Sequence, residues 1–303
     1  MMGATSRIGT LVIAACAVTA TAFAQASSEV TDRDRVWANF TREAAIVGHQ
    51  HFWLELRGMK LMDDQSIKQS DGAGGNFKGP TLNLAGYPLN RPQKCKGLAG
   101  QPGCVTEIDG GRFDLVAAYG LLSTLEVGLD FPFVMQEQVS FSDGANQETA
   151  DLGDLQFYGK FKRQLAEHWA GALGLEINAA TGSSSKGFGT GHTGLNPFMS
   201  VRYQSGRVGL GSHVGFLLNV DGPSDVFNWS LEGIVRATHL FALRCEVNGR
   251  LFKAGSETFS DVAVWPGLDF NLTDYFVIRP QALAHLTKDA IDWGLGLGLA
   301  VTL

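Results

Sequence analysis

Along Leu240–Phe252, charged and amide side chains recur at every second position. Arg244, Glu246, Asn248 and Arg250 fall on one face, and Phe241, Leu243, Cys245, Val247 and Leu251 on the other. Period two marks a strand. Alternating arginine and carboxylate on one face form cross-strand ion pairs. The chemistry open to them is electrostatic selection of a solute moving along that face. The same alternation elsewhere adds Glu126, Asp130, Tyr158, Lys160, Arg202, Glu232, Arg236 and Arg279. Together with Arg244, Glu246 and Arg250 they are the candidate substrate-lining residues of a polar interior. Glu55, Arg57, Lys162, Glu176, Asn178, Asn219, Asn228, Asp269, Gln281 and Asp292 share that face.

Bond-making chemistry finds less support. A membrane lipase needs a serine, a histidine and an asparagine that orients the ring. Ser212 and His213 are adjacent, so in a strand they point to opposite faces, and no H-x-S-N run exists. Asp269, Asp292, His285 and His213 supply the residue types of a protease-like Asp/His set. Nothing in their spacing separates them from interior charge pairs. His49 and His51 would share a strand face and suit a transition metal, but no third ligand is identifiable. Asp63, Asp64 and Asp71 read as a solvated loop rather than a calcium site. The run Gly187–Gly191 lacks the Lys-Ser/Thr of a phosphate loop. The expectation is a protein that is not an enzyme and carries no metal or cofactor.

The elements that must position these residues are strands. The segment Ile291–Leu303 puts Ile291, Trp293, Leu295, Leu297, Leu299, Val301 and Leu303 on one face; Asp292, three glycines, Ala300 and Thr302 lie on the other. Twelve such segments follow one another: 51–60, 112–120, 124–133, 151–163, 168–181, 195–204, 207–220, 225–237, 240–252, 260–271, 275–285 and 291–303. Long and short connections alternate between them. A long irregular connection covers 61–110, and polar loops cover 138–150 and 182–193. Ser205-Gly206 is a hairpin signal. A soluble sandwich would bury its apolar faces on a second sheet. Apolar-out, polar-in strands with alternating loop lengths instead describe an all-β, up-and-down antiparallel transmembrane β-barrel of about twelve strands, with outer-membrane lipid around it. Trp53, Trp169, Trp229 and Trp293, near strand ends or loops, fit an aromatic girdle.

Residues 1–24 read as a secretory signal. Arg7 precedes the apolar run Ile8–Val18, and Ala22-Phe23-Ala24 matches a cleavage pattern. A lipoprotein site at Cys16 is the rival, though it would leave a very short apolar region. Removing Arg7 with the signal leaves 23 basic against 30 acidic residues. No basic run points to nucleic acid. Residues 25–48 hold a short helix over 31–48, with Thr31 as cap and Trp37, Phe40, Ala44 and Val47 on one face. It is either a plug or latch, or a helix packed on the barrel end. The barrel takes 49–303. Cys95 and Cys104, close together in an exported chain, are expected to form a local disulfide. Cys245 reads as a small residue on the apolar face.

Two motif-bearing stretches carry a family likeness. Leu152-Gly153-Asp154 opens a strand ending in Lys160-Phe161. Asn178-Ala179-Ala180-Thr181-Gly182 leads through a loop into Phe188-Gly189-Thr190-Gly191. The strand pair Tyr119–Phe133, with L-E-V-G-L after its turn, is similar too. Over about residues 110–303 the chain resembles the outer-membrane transporters of the meta-pathway of phenol degradation. The resemblance implies an outer-membrane channel of a Gram-negative cell for aromatic or other hydrophobic small molecules. Two other classes stay open: a closed structural or adhesion barrel, separable by deleting the cysteine loop, and a lipid-modifying enzyme, separable by lipid turnover.

Overall fold

A computed structural model describes residues 50–64, 81–82, 88–89, 105–141, 146–183, 188–189, 191–220, 225–254, 257–287 and 293–303. The expected signal at 1–24, the helix segment 25–48, His49, Cys95, Cys104 and Asp292 lie outside the described residues.

The strands are β1 (Phe52–Asp64), β2 (Thr81–Leu82), β3 (Pro88–Leu89), β4 (Val105–Leu122), β5 (Leu125–Phe141), β6 (Asn146–Asp151), β7 (Leu155–Ala166) and β8 (Trp169–Ala179). They continue as β9 (Gly194–Ser205), β10 (Val208–Asn219), β11 (Val226–Arg236), β12 (Phe241–Ala254), β13 (Glu257–Asn271), β14 (Phe276–His285) and β15 (Trp293–Thr302). All pairings are antiparallel. Twelve strands form a ring in the order β1, β4, β5, β7, then β8 to β15 in sequence. The ring closes because β1 pairs with both β4 and β15. At the closure Phe52 and Leu303 exchange backbone N–H···O bonds of 2.8 Å in both directions. Among the described residues strand β6 pairs only with the far end of β5, and β2 and β3 form a small separate hairpin.

The alternation that defines the strands also sorts their faces. Along β9, Asn196, Phe198, Ser200, Arg202 and Gln204 are buried inward, while Leu195, Pro197 and Met199 are exposed outward. The outer face carries an apolar belt, including Leu54, Leu56, Phe157, Phe161, Leu173, Leu175, Leu231, Leu295 and Leu297. Short turns gather at one end of the barrel. Gly206 turns with φ 53°, a left-handed value that glycine takes without steric cost. In the β13–β14 turn, the Thr273 hydroxyl accepts from the Phe276 N–H at 3.0 Å.

At the other end the strands outrun their sequence-based bounds. The expected polar loop 138–150 is largely a hairpin, with β5 running to Phe141 and β6 returning from Asn146. Likewise β1 extends to Asp64 and β4 begins at Val105, inside the expected irregular connection. Beyond the bilayer a strand needs no apolar outer face, so alternation fades while pairing continues. Trp53 corrects the girdle expectation: it is buried on the inner face, whereas Trp169 and Trp293 are exposed outward near opposite barrel ends.

One seam is short of hydrogen bonds. Between β13 and β14 the N–H of Leu286 donates to Val262, and that of Leu272 to Phe276. Period two therefore turns the backbone of 264, 266, 268 and 270 toward β14. The Thr302 N–H donates to Tyr275 on the far side of β14. The even residues of β14 therefore face β13. Pro266 and Pro280 both sit at such positions, and neither has an N–H. Their opposite carbonyls, Ala282 and Leu268, lose their ladder donors. The paired register is interrupted there, with Gly267–Gln281 alone holding between Val264–Ala284 and Phe270–Ile278. In lipid such losses have no water to compensate them. Replacing both prolines by valine should raise the temperature at which the folded band converts to the unfolded one in a heat-modifiable gel. The expected gain is about 1 kcal/mol per restored bond. An unchanged transition would mean that this seam is not the weak one.

Candidate functional site

The interior of the barrel is the candidate site, and it is built in charged and apolar groups. The largest charged group joins β1, β12, β13 and β14. Arg279 donates to Asp269 at 2.9 Å and to Glu55 at 3.1 Å, with its guanidinium 5.5 Å from the Trp53 ring centroid. Arg244 donates to Gln281 at 3.2 Å and lies 3.8 Å from Asp269. Arg57 donates to Glu55 at 3.3 Å. Arg279 is only 2 % exposed, so its charge is held by these carboxylates and not by bulk water.

A second group links β5 and β7. Glu126 accepts from the Tyr158 hydroxyl at 2.8 Å and lies 3.4 Å from Lys160. Arg112 reaches Asp114 at 2.5 Å and Asp130 at 4.0 Å. Arg202 donates to Gln204 at 2.8 Å. Glu232 and Glu246 are directly opposite one another on β11 and β12, both buried. Like charges in that register repel; Arg202, in the same row across Gly211, and Arg244, one inward row away, are the counter-charges acting on Glu232.

Each residue expected to line the interior can now be placed. Glu126, Asp130, Tyr158, Lys160, Arg202, Glu232, Arg244, Glu246 and Arg279 are buried on the inward face. Arg236 and Arg250 are half-buried, one near the short-turn end of the barrel and one toward the other. The structure gathers Glu126, Tyr158 and Lys160 into one group, and Arg244 and Arg279 into another through Asp269. Asp269 and Glu55 carry that second group; the alternation had put both on the inward face, though not among the substrate-lining candidates.

The protease-like Asp/His set does not assemble among the described residues. His285 pairs with Asp261 at 2.7 Å, and Asp269 is held by the arginines. His213 does face inward, within 3.1 Å of Asn228. Asn228 donates to Asn196 at 3.2 Å, and Asn196 to Glu176 at 3.4 Å. This amide chain across β8, β9, β10 and β11 was invisible in the sequence, because its members are up to 52 residues apart and only the register aligns them.

Two apolar groups interrupt the polar wall. Trp53, Val116, Ala118, Tyr158, Phe198 and Ala300 form one. The other joins Leu61 of β1, Ala263 and Trp265 of β13, Leu283 of β14, and Phe188, with Met59 at its margin. Phe188 belongs to the connection between β8 and β9. In the ring of twelve, β8 and β9 stand opposite β14 and β15. The Phe188 side chain therefore crosses the lumen to reach its partners, and it is fully buried there.

Three short motifs hold it in place. The Asp154 carboxylate accepts from the Gly182 N–H at 2.9 Å, and the Thr181 hydroxyl accepts from the Leu155 N–H at 2.9 Å. The Phe188 N–H donates to the Ser183 carbonyl at 3.0 Å. A Cβ on Gly182 would lie 2.8 Å from the Phe188 carbonyl oxygen, and one on Gly189 would lie 2.6 Å from the Asp154 carboxylate. Only glycine fits at either position. Gly153-Asp154, Thr181-Gly182 and Phe188-Gly189 are thus one knot inside the barrel.

No protein-family model matches the chain, and no curated protein matches it. Solved structures do. The COG4313 outer membrane channel from Pseudomonas putida F1 superposes with a TM-score of 0.62 at 12% identity, covering 89% of this chain and 100% of that one. The NanC porin superposes with a TM-score of 0.52 at 9% identity, covering 82% of this chain and 100% of that one. At these identities the likeness is one of fold: this chain has the architecture of an outer-membrane channel barrel.

Proposed function

We propose that this protein is a channel of the Gram-negative outer membrane that passes small molecules of the hydrophobic or aromatic class. One observation carries the reading. The lumen of a closed, lipid-facing barrel contains an apolar pocket of Leu61, Ala263, Trp265 and Leu283 that the Phe188 side chain fills, and it lies behind the seam that Pro266 and Pro280 weaken. A purely ionic pore has no use for such a pocket, and a purely structural barrel has no use for a weakened seam. The fold shared with an outer membrane channel and a porin supports the reading. So does the resemblance to the phenol meta-pathway transporters in the stretches around Gly153-Asp154, Thr181-Gly182 and Phe188–Gly191.

In this reading residues 1–24 direct export and residues 25–48 restrict the lumen. Small solutes enter among the inward charges, which select by sign. Apolar ones transfer to the pocket and leave sideways through the β13–β14 seam into the bilayer. The buried charge group around Arg279 borders the seam and gives it a fixed edge, since each of its members is held by at least one partner.

Three outcomes are expected. Deleting residues 25–48 should raise single-channel conductance of the refolded chain in a planar bilayer; equal conductance would remove the plug from the account. Replacing Pro266 and Pro280 together by valine should slow release of benzyl alcohol from proteoliposomes while leaving ion conductance unchanged. Equal slowing of both would place the route along the axis instead. Arg279→Met should destabilise the barrel by about 3–5 kcal/mol, because it strands Glu55 and Asp269 without their shared partner. Chemical denaturation in detergent reads this directly, and a loss under about 1 kcal/mol would mean water already solvates those carboxylates.

A further inference from the structure

The pocket at the β13–β14 wall is filled by the protein's own ring. Phe188 is the one member of that group that does not come from a barrel strand. It arrives from across the lumen, on a connection hydrogen-bonded to Asp154 at Gly182 and packed closely against it at Gly189. The walls of the pocket are an indole, two leucines and an alanine. Such a site accepts a flat six-membered ring, as its present occupant demonstrates. With Phe188 seated, its side chain meets the opposite wall at that level. With Phe188 unseated, the pocket is free and this crossing of the lumen is gone.

Resting on the channel reading above, we propose that this pocket is a binding site for a small aromatic molecule, and that such a molecule opens the lumen by displacing the Phe188 ring. Phe188 acts as a tethered competitor. The apparent affinity for a free aromatic ligand is lowered by the fraction of time that the tethered ring is in place. The same competition couples solute to gate: occupancy of the pocket by solute and bridging of the lumen by Phe188 exclude one another. The backbone knot makes this exchange local. Asp154, Thr181 and Gly182 anchor the root of the connection without using the ring, so the ring can leave while the root remains.

The test is single-channel conductance of the refolded chain from residue 25, with benzyl alcohol as the probe and cyclohexylmethanol as its saturated counterpart. Wild-type conductance should rise by at least about half with benzyl alcohol, and less with the saturated alcohol. Phe188→Ala should begin at the raised level and not respond. Leu283→Trp, which fills the pocket from its wall and expels the ring, should behave as Phe188→Ala does; it also serves if the alanine variant folds poorly. A wild-type channel that conducts but ignores benzyl alcohol overturns this inference and leaves the channel reading standing. An equal response in wild type and Phe188→Ala marks an effect on the bilayer and also overturns it. Silence from every form, each shown folded by heat modifiability, overturns both.

Discussion

The structure depends on one constraint: inside a bilayer no water is available to the backbone, so each N–H and C=O must find a partner in the chain itself. A strand can meet that demand only with neighbours on both sides, and only a closed ring provides them to every strand. From closure the rest follows. The ring must turn one face to lipid and the other to a lumen, and period two assigns alternate residues to each. This explains why the outer belt is leucine and phenylalanine while arginines and carboxylates are buried. Their burial is not in lipid or in an apolar core but in a polar interior where they meet one another.

The exceptions to the constraint are where the proposed function gathers. Pro266 and Pro280 leave two carbonyls without ladder donors on a single seam. Pro197 removes a rung as well, between β9 and β10, but alone. Behind the doubly weakened seam the lumenal wall changes from charged to apolar, and into that apolar patch the chain sends Phe188. The weak seam, the apolar pocket and the crossing side chain lie on the same sector of the barrel. The charged group around Arg279 borders it and gives the sector a fixed edge, since Asp269 lies on β13 and Arg279 on β14 themselves.

Much of the fold was legible because alternation is local. In Leu240–Phe252 a reader needs only thirteen residues to see which side chains share a face, and the structure places those residues as the pattern indicates. Strand ends were less legible at 134–141 and 105–110, where pairing continues past the bilayer and the outer face no longer needs to be apolar. Trp53 was misread because a tryptophan near a strand end suits both a girdle and an inward stack on Arg279. The apolar pocket was not legible at all. Leu61, Phe188, Trp265 and Leu283 are far apart in the chain, and only closure brings them together. The prolines were visible, but which neighbour each faced depends on the register of β14 against both of its partners. The glycine motifs were noticed as a likeness; that they form one knot around Asp154 is a fact of three dimensions.

The most direct test of the account is the transfer of a small aromatic solute across a membrane that contains the protein. Proteoliposomes with the refolded chain, loaded with an enzyme that consumes benzyl alcohol, would report its entry rate against protein-free vesicles of the same lipid in which lipopolysaccharide limits passive entry. The account predicts faster entry with the protein, saturable in benzyl alcohol because a pocket of finite number carries it. Entry at the protein-free rate, from a barrel shown to be folded, would contradict it.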